Sequence, residues 1–253
     1  MVVTAHANRN NHSSTAAPIQ SLVNQVSENQ FQAYLTHLVS YPTRFSTSSF
    51  YKDAATWARE KLNEMGYTTS SETIPINDKN SQNIIADKMG TNNGTKNLII
   101  ITAHLDSVNH AGGPSSNAPG ADDNGSGSAG LLEIARVFKD LPIQHDLRFI
   151  LFGGEEQGLL GSKQYVENLT TLDKNRIQAV INMDMIGTLN TSPPTVLIEG
   201  SPLSKETIDG LNNAASLYTK INVEISLNPF DSDHVSFLNK GIPAVLTICL
   251  KPQ

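Results

Sequence analysis

Cysteine is almost missing from this chain of 253 residues: Cys249 stands alone. An intramolecular disulfide is therefore excluded, and so is a metal site built on a cluster of thiolates. Any bound metal must rely on His, Asp and Glu. Basic residues are also scarce, with 18 Lys and Arg against 24 Asp and Glu and a net charge of −6. That balance argues against a nucleic-acid partner, which needs clustered positive charge. No apolar run approaches the roughly 20 residues of a membrane-spanning helix, so no membrane partner is expected. The beginning of the chain shows no basic-then-apolar export signal. Residues 1–16 carry little to bury and are expected to be mobile. Residues 17–253 show no repeat and no long linker, which predicts a single domain large enough for a sizeable core.

What is present is an alternation of helical and strand-like segments. Ile19, Leu22, Val23 and Val26 recur at helical spacing, and Phe31, Tyr34, Leu35 and Leu38 repeat it. Ser27 and Gln30 have the spacing of a capping box. A third helix from Ser49 carries Tyr51, Ala54, Ala58, Leu62 and Met65 and stops at Gly66. Strands are predicted over 67–76, 83–88, 97–102, 147–152, 178–185, 195–199, 222–227 and 244–249. Further helices are predicted around Leu131–Leu141, Leu159–Leu169, Ser204–Tyr218 and Asp233–Asn239. The unbroken run Leu98, Ile99, Ile100, Ile101 fits a strand buried on both faces. Such alternation predicts an α/β fold with a mostly parallel sheet, whose ligand site lies beyond the carboxyl ends of the strands.

Polar groups recur at those ends. One strand runs into Ala103-His104-Leu105-Asp106-Ser107, the next into Gly153-Gly154-Glu155-Glu156, and another into Asn182-Met183-Asp184. Between the first two lies Asp122-Asp123-Asn124-Gly125, and late in the chain comes Ser232-Asp233-His234. Each has an ordinary explanation alone. His104 could be a hydrogen-bonded core histidine, the Asp-Asp-Asn-Gly run a turn with a helix cap, and Glu155-Glu156 a solvated pair. Asp184 is harder to dismiss, because its apolar neighbours would bury it and a buried charge needs a partner. Together the five places share one explanation, a metal site of nitrogen and oxygen donors. Five such groups exceed the usual three protein ligands of one catalytic zinc and fit two metals ~3.5–4 Å apart.

These strings, in this order from Tyr41-Pro42-Thr43-Arg44-Phe45 to Thr247, resemble the co-catalytic di-zinc aminopeptidases of metallopeptidase family 28, the bacterial leucyl aminopeptidase type. The resemblance implies a three-layer αβα sandwich with a central mixed, mostly parallel eight-stranded sheet. It implies two Zn2+ per chain bridged by Asp123, with His104 and Asp184 completing one zinc and Glu156 and His234 the other. Glu155 would be the general base, and Asp106 would orient His104. The substrates implied are peptides with a free, apolar N-terminal residue, and a secreted monomer is expected.

The chain also departs from that pattern. It stops soon after Thr247, so the usual closing C-terminal helix is expected to be absent. The alternatives are a glutaminyl cyclase with one zinc, a carboxypeptidase, or a non-catalytic binding module of the same fold. The full set of ligand types weighs against the cyclase and the module, and no basic signature marks a carboxypeptidase. Cys249, with apolar neighbours, is expected in the core.

Overall fold

The computed structural model describes residues 16–230 and 232–249. The expectation of a mobile N-terminus falls almost wholly on residues outside that range. The helices are α1 (Ala17–Val23), α2 (Glu28–Val39), α3 (Ser49–Glu64), α4 (Gly127–Phe138), α5 (Leu160–Glu167), α6 (Thr171–Arg176), α7 (Lys205–Tyr218) and α8 (His234–Leu238). The strands are β1 (Thr68–Ile76), β2 (Lys79–Lys88), β3 (Leu98–His104), β4 (Asp146–Phe152), β5 (Ile177–Met183), β6 (Thr195–Gly200), β7 (Asn222–Ser226) and β8 (Ala244–Cys249). Among the described residues no helix is long and apolar enough to cross a membrane.

The eight strands form one sheet in the order β1-β2-β4-β3-β5-β8-β6-β7. Its centre, β4-β3-β5-β8, is parallel. The β1-β2 and β2-β4 pairs on one side are antiparallel, as is β8-β6 on the other. Side chains alternate across a strand, and β3 shows it directly. Ile101 and Ala103 pack into a core with residues of α2, α3 and α4, including Leu38, Ala58 and Leu132. Leu98 and Ile100 face the other way, against Tyr165 of α5 and Phe237 of α8. Burying β3 on both faces explains its unbroken apolar run. A smaller core joins Ile208 of α7 to Ile198 and Val245. The expected αβα layering and mixed sheet are what the chain adopts.

Local chemistry sets the helix ends. Ser27 Oγ accepts from the Gln30 N–H, the first half of the expected capping box. The second half is made elsewhere: the Ser27 N–H donates to buried Glu133 Oε1 of α4 at 2.6 Å, not to the Gln30 side chain. Glu133 is also paired with Arg136. The first helical stripe reaches less far than expected. Helix α1 has seven residues and buries none of them, and Ile19 and Val26 stay largely exposed, because a helix so short presents too little surface to dock. Helix α6 has no apolar stripe to reveal it, only a Thr170 cap on the Asp173 N–H. Cys249, expected in the core, is half-buried near the end of β8.

Glu133 ties the start of α2 to α4 from a buried position. Replacing Glu133 with Ala should leave the Ser27 N–H unpartnered and Arg136 with only the Gln25 carbonyl, and cost about 1–3 kcal/mol. Urea unfolding of wild type and Glu133→Ala checks this, and an unchanged midpoint would contradict it.

Candidate active site

Parallel pairing puts the carboxyl ends of β4, β3, β5 and β8 along one edge of the sheet. The chain runs from β3 to β4 on one side and then from β4 across to β5 on the other, the kind of reversal that opens a crevice. His104 is the last residue of β3, Glu155 and Glu156 follow β4, Asp184 follows β5, and His234 opens α8, which leads into β8. The turn after β4 requires glycine. A Cβ on Gly153 would lie 2.3 Å from the Tyr51 hydroxyl and 2.6 Å from Ser81 Oγ. The Gly153 N–H donates instead to Asn83 Oδ1 and that of Gly154 to Ser46 Oγ.

His104 is the hub. Its buried Nε2 lies 3.2 Å from Asp123 Oδ1, 3.3 Å from Asp184 Oδ1 and 3.9 Å from Glu155 Oε2. Its Nδ1 lies 3.1 Å from the Asp106 backbone carbonyl and 3.5 Å from Asp106 Oδ1. The carboxylate expected to orient His104 thus sits farther away than the carbonyl of the same residue. It accepts from the backbone N–H groups of Glu155 (3.4 Å) and Glu156 (3.2 Å). Asp106 therefore fastens the β4 turn to the end of β3.

Asp123 sits in a wide turn over Ala121–Ser126 that leads into α4. Its neighbours hold the turn. Asn124 donates to the Met183 carbonyl and accepts from the Gly127 and Met185 N–H groups. Asp122 accepts from the Gly187 N–H and the Thr188 hydroxyl, which explains why it supplies no site group. Asp184 is held from the other side. Ser232 Oγ donates to Asp184 Oδ2 (2.9 Å) and accepts from Asn182 Nδ2, whose amide oxygen accepts from Thr102.

Two sets of possible ligand atoms result, each with all members within 4.8 Å of one another: His104, Asp123 and Glu156, and His104, Glu155 and Asp184. The resemblance implies Glu156 with His234 on one zinc; among the described residues Glu156 lies near His104 and Asp123, its N–H held by Asp106 Oδ2. His234 lies in neither set, with Nε2 3.7 Å from Glu199 Oε1. It is completely buried, and among the described residues neither of its ring nitrogens has a hydrogen-bond partner; Asp184 Oδ1 is likewise buried without one.

Burial and crowding distort the proton affinities. Burial pushes Glu156 up to about 8, assisted by Asp123, and pushes Glu155 up as well, assisted by Asp233 and Asp106. Burial opposes charge on His104, but Asp184, Glu155, Asp106 and Asp123 outweigh it and hold the imidazole well above its usual range. Burial lowers His234 to about 4, leaving a neutral ring whose nitrogens can donate lone pairs. Carboxylates crowded around His104, near a neutral His234 and the buried Asp184 Oδ1, fit divalent cations of the zinc type.

Fold and site together define an α/β protein with a candidate centre for two metal ions at the carboxyl edge of its sheet. Residues 83–251 match the model of peptidase family M28, and the chain belongs to that family. It is 38% identical over 180 residues to aminopeptidase YwaD of Bacillus subtilis, an alignment covering 68% of this chain and 36% of that one. The chain thus spans about a third of that relative. Its fold is similar to that of the LapA aminopeptidase of Legionella pneumophila, with a TM-score of 0.77 and 24% identity, covering 92% of this chain and 64% of that one. It is also similar to BSAP, described as a zinc aminopeptidase from Bacillus subtilis, with a TM-score of 0.58 and 35% identity over 70% of this chain and 42% of that one.

Sequence reasoning missed Arg44, Asn124 and Ser232 as working parts of the site. Asn124 and Ser232 stand inside motifs already singled out, and their contacts became visible only once β5 was placed beside the turn.

The shifted groups have a consequence for the metal-free protein. A carboxyl group whose proton affinity rises on folding stabilises the fold while protonated, and that contribution fades as pH rises from its unfolded toward its folded value. Glu156 loses its contribution between 4.5 and about 8, and Glu155 acts in the same direction. His104 loses its contribution as pH rises above 6.5. His234 acts oppositely, but only between about 4 and 6.5. From pH 6.5 to 8 Glu155, Glu156 and His104 therefore all pull Tm downward once chelator is present, and Zn2+ should restore it. Thermal melts across that window with chelator and with Zn2+ check this; a flat or rising chelator curve would contradict it.

Proposed function

We propose that this chain is a two-zinc aminopeptidase. The observation that carries the reading is the meeting of His104, Asp123 and Glu156 beside buried, unpartnered Asp184 Oδ1 and His234. His104 and Glu156 would hold one ion and Asp184 and His234 the other, with Asp123 shared between them. The proximity of Asp123 and Asp184 to the same His104 nitrogen supports a shared arrangement. So does the mutual electrostatic influence of Asp184 and His234. The names of YwaD and BSAP support the activity and the metal.

Bound zinc supplies an activated water at neutral pH, by lowering its pKa to roughly 7, and polarises the scissile carbonyl. Glu155 does the proton work. A carboxylate oxygen of Glu155 takes the proton from the attacking water and delivers it to the leaving nitrogen. Asp106 keeps Glu155 and Glu156 apart in role by gripping both backbone N–H groups, so the two side chains leave a fixed turn. Ser232 occupies one oxygen of Asp184 and leaves the other facing His104. The acidic surroundings attract the protonated α-amine of a peptide and favour a free N-terminus.

The roles of the two glutamates separate cleanly by experiment. Glu155→Gln should retain two Zn2+ and lose roughly 10²–10⁴-fold in kcat. Glu156→Gln should bind zinc more weakly. Leucine p-nitroanilide hydrolysis together with metal analysis reads both. Near wild-type turnover in Glu155→Gln would sink the assignment.

A further inference from the structure

Arg44 is completely buried, yet among the described residues no carboxylate is hydrogen-bonded to its guanidinium. It donates only to backbone carbonyls. Nε reaches Leu105 at 2.8 Å, Nη1 reaches Leu38 at 3.1 Å and Pro119 at 2.5 Å, and Nη2 reaches Gly120 at 2.9 Å. Leu105 lies between His104 and Asp106. Pro119 and Gly120 lead directly into the turn that carries Asp123.

A buried cation is costly unless its surroundings repay it. Burial lowers Arg44 to about 10, and the charges of Asp106 and Asp123 oppose that drop, while four carbonyls accept from its donors. The fork geometry matters beyond the charge. A guanidinium presents rigid donors in several directions, whereas an ammonium presents one compact point. One flat group can therefore grip the end of β3 and the entry to the Asp123 turn together. The Gly120 carbonyl also accepts from the Gly125 N–H at 2.9 Å, which closes the turn around Asp123. Gly120 has φ +52°, and a Cβ there would lie 2.4 Å from the Asp123 carbonyl and 3.2 Å from Arg44 Nη2. The backbone of Arg44 adds a second clasp. Its N–H donates to Ser107 Oγ, which donates onward to the Ala118 carbonyl at 2.6 Å.

We infer that Arg44 is a positioning residue for the metal pair, setting the approach of Asp123 to His104 by bridging the two backbone segments that carry them. It touches no substrate. Its effect passes through the 3.2 Å separation of His104 Nε2 and Asp123 Oδ1. The inference rests on the two-zinc reading above.

Zn2+ titration against a chromophoric chelator, with visible spectra of the Co2+-loaded protein, tests it on the full chain. Arg44→Lys keeps the charge and loses the fork. It should retain the far-UV circular dichroism of wild type, bind at least one Zn2+ about tenfold more weakly, and alter the Co2+ absorption bands. A folded Arg44→Lys with wild-type affinities and an unchanged Co2+ spectrum overturns the inference. Should Arg44→Lys not fold, Ser107→Ala opens the second clasp, which joins the Arg44 backbone to the segment leading into the Asp123 turn. It should weaken zinc binding about threefold, and unchanged binding overturns the inference. Wild-type protein that binds no Zn2+ would instead overturn the two-zinc reading itself.

Discussion

Repulsion among carboxylates is the constraint from which the rest of the site follows. Asp106, Asp123, Glu155, Glu156 and Asp184 gather around one imidazole, with Asp233 buried close enough to raise Glu155. Two like charges 4 Å apart cost about 4 kcal/mol in a protein-like dielectric. A chain that merely folded would relieve this by letting the groups swing into water. Here several are held in place: Asp106 by two backbone N–H groups, Asp184 by Ser232, and Asp123 by a turn whose other members are fully engaged. Against them stand His104 and Arg44. Divalent cations are the natural complement, and binding them would couple stability to function.

The holding groups are of a different kind from the groups held. Backbone carbonyls, hydroxyls and amides satisfy Arg44, Asn124, Asn182 and Ser232, and each of these has its hydrogen bonds within the protein. Among the described residues, the atoms without hydrogen-bond partners include Asp184 Oδ1, both oxygens of Asp233 and both nitrogens of His234. Buried polar atoms are normally paired, so unpaired ones concentrated at one edge of a sheet mark where the fold has been bent to another purpose. Asp233 is the extreme case, fully buried and pushed up to about 7 by that burial.

Much of this was legible in the chain itself. The run Leu98–Ile101 announced a strand covered on both sides, and the ligand-type residues at strand ends announced a metal site. Alternation and helical spacing carry that information because burial imposes them locally. Two things escaped for the same reason. The proximity of Glu156 to His104 and Asp123 goes with Asp106 bonding across two strands that are neighbours only in the folded sheet. The role of Arg44 depends on carbonyls 61, 6, 75 and 76 residues away along the chain. Backbone acceptors have no residue-type signature, so no motif can reveal which side chain will find them.

The apolar layers explain why such a strained edge can persist. Strands β3 and β4 are sealed by α2, α3 and α4 on one face and by α5 and α8 on the other. Packing at crystal-like density leaves their ends little freedom to drift apart. Leu105 continues this core immediately beyond His104, and its N–H donates to the Phe152 carbonyl at 2.8 Å. The last apolar anchor and the first site residue are thus neighbours in the chain. The energy that keeps the carboxylates together is spent one residue away from them, in hydrophobic burial that does not depend on pH or metal. That separation lets the site be electrostatically unfavourable by itself while the domain around it stays folded.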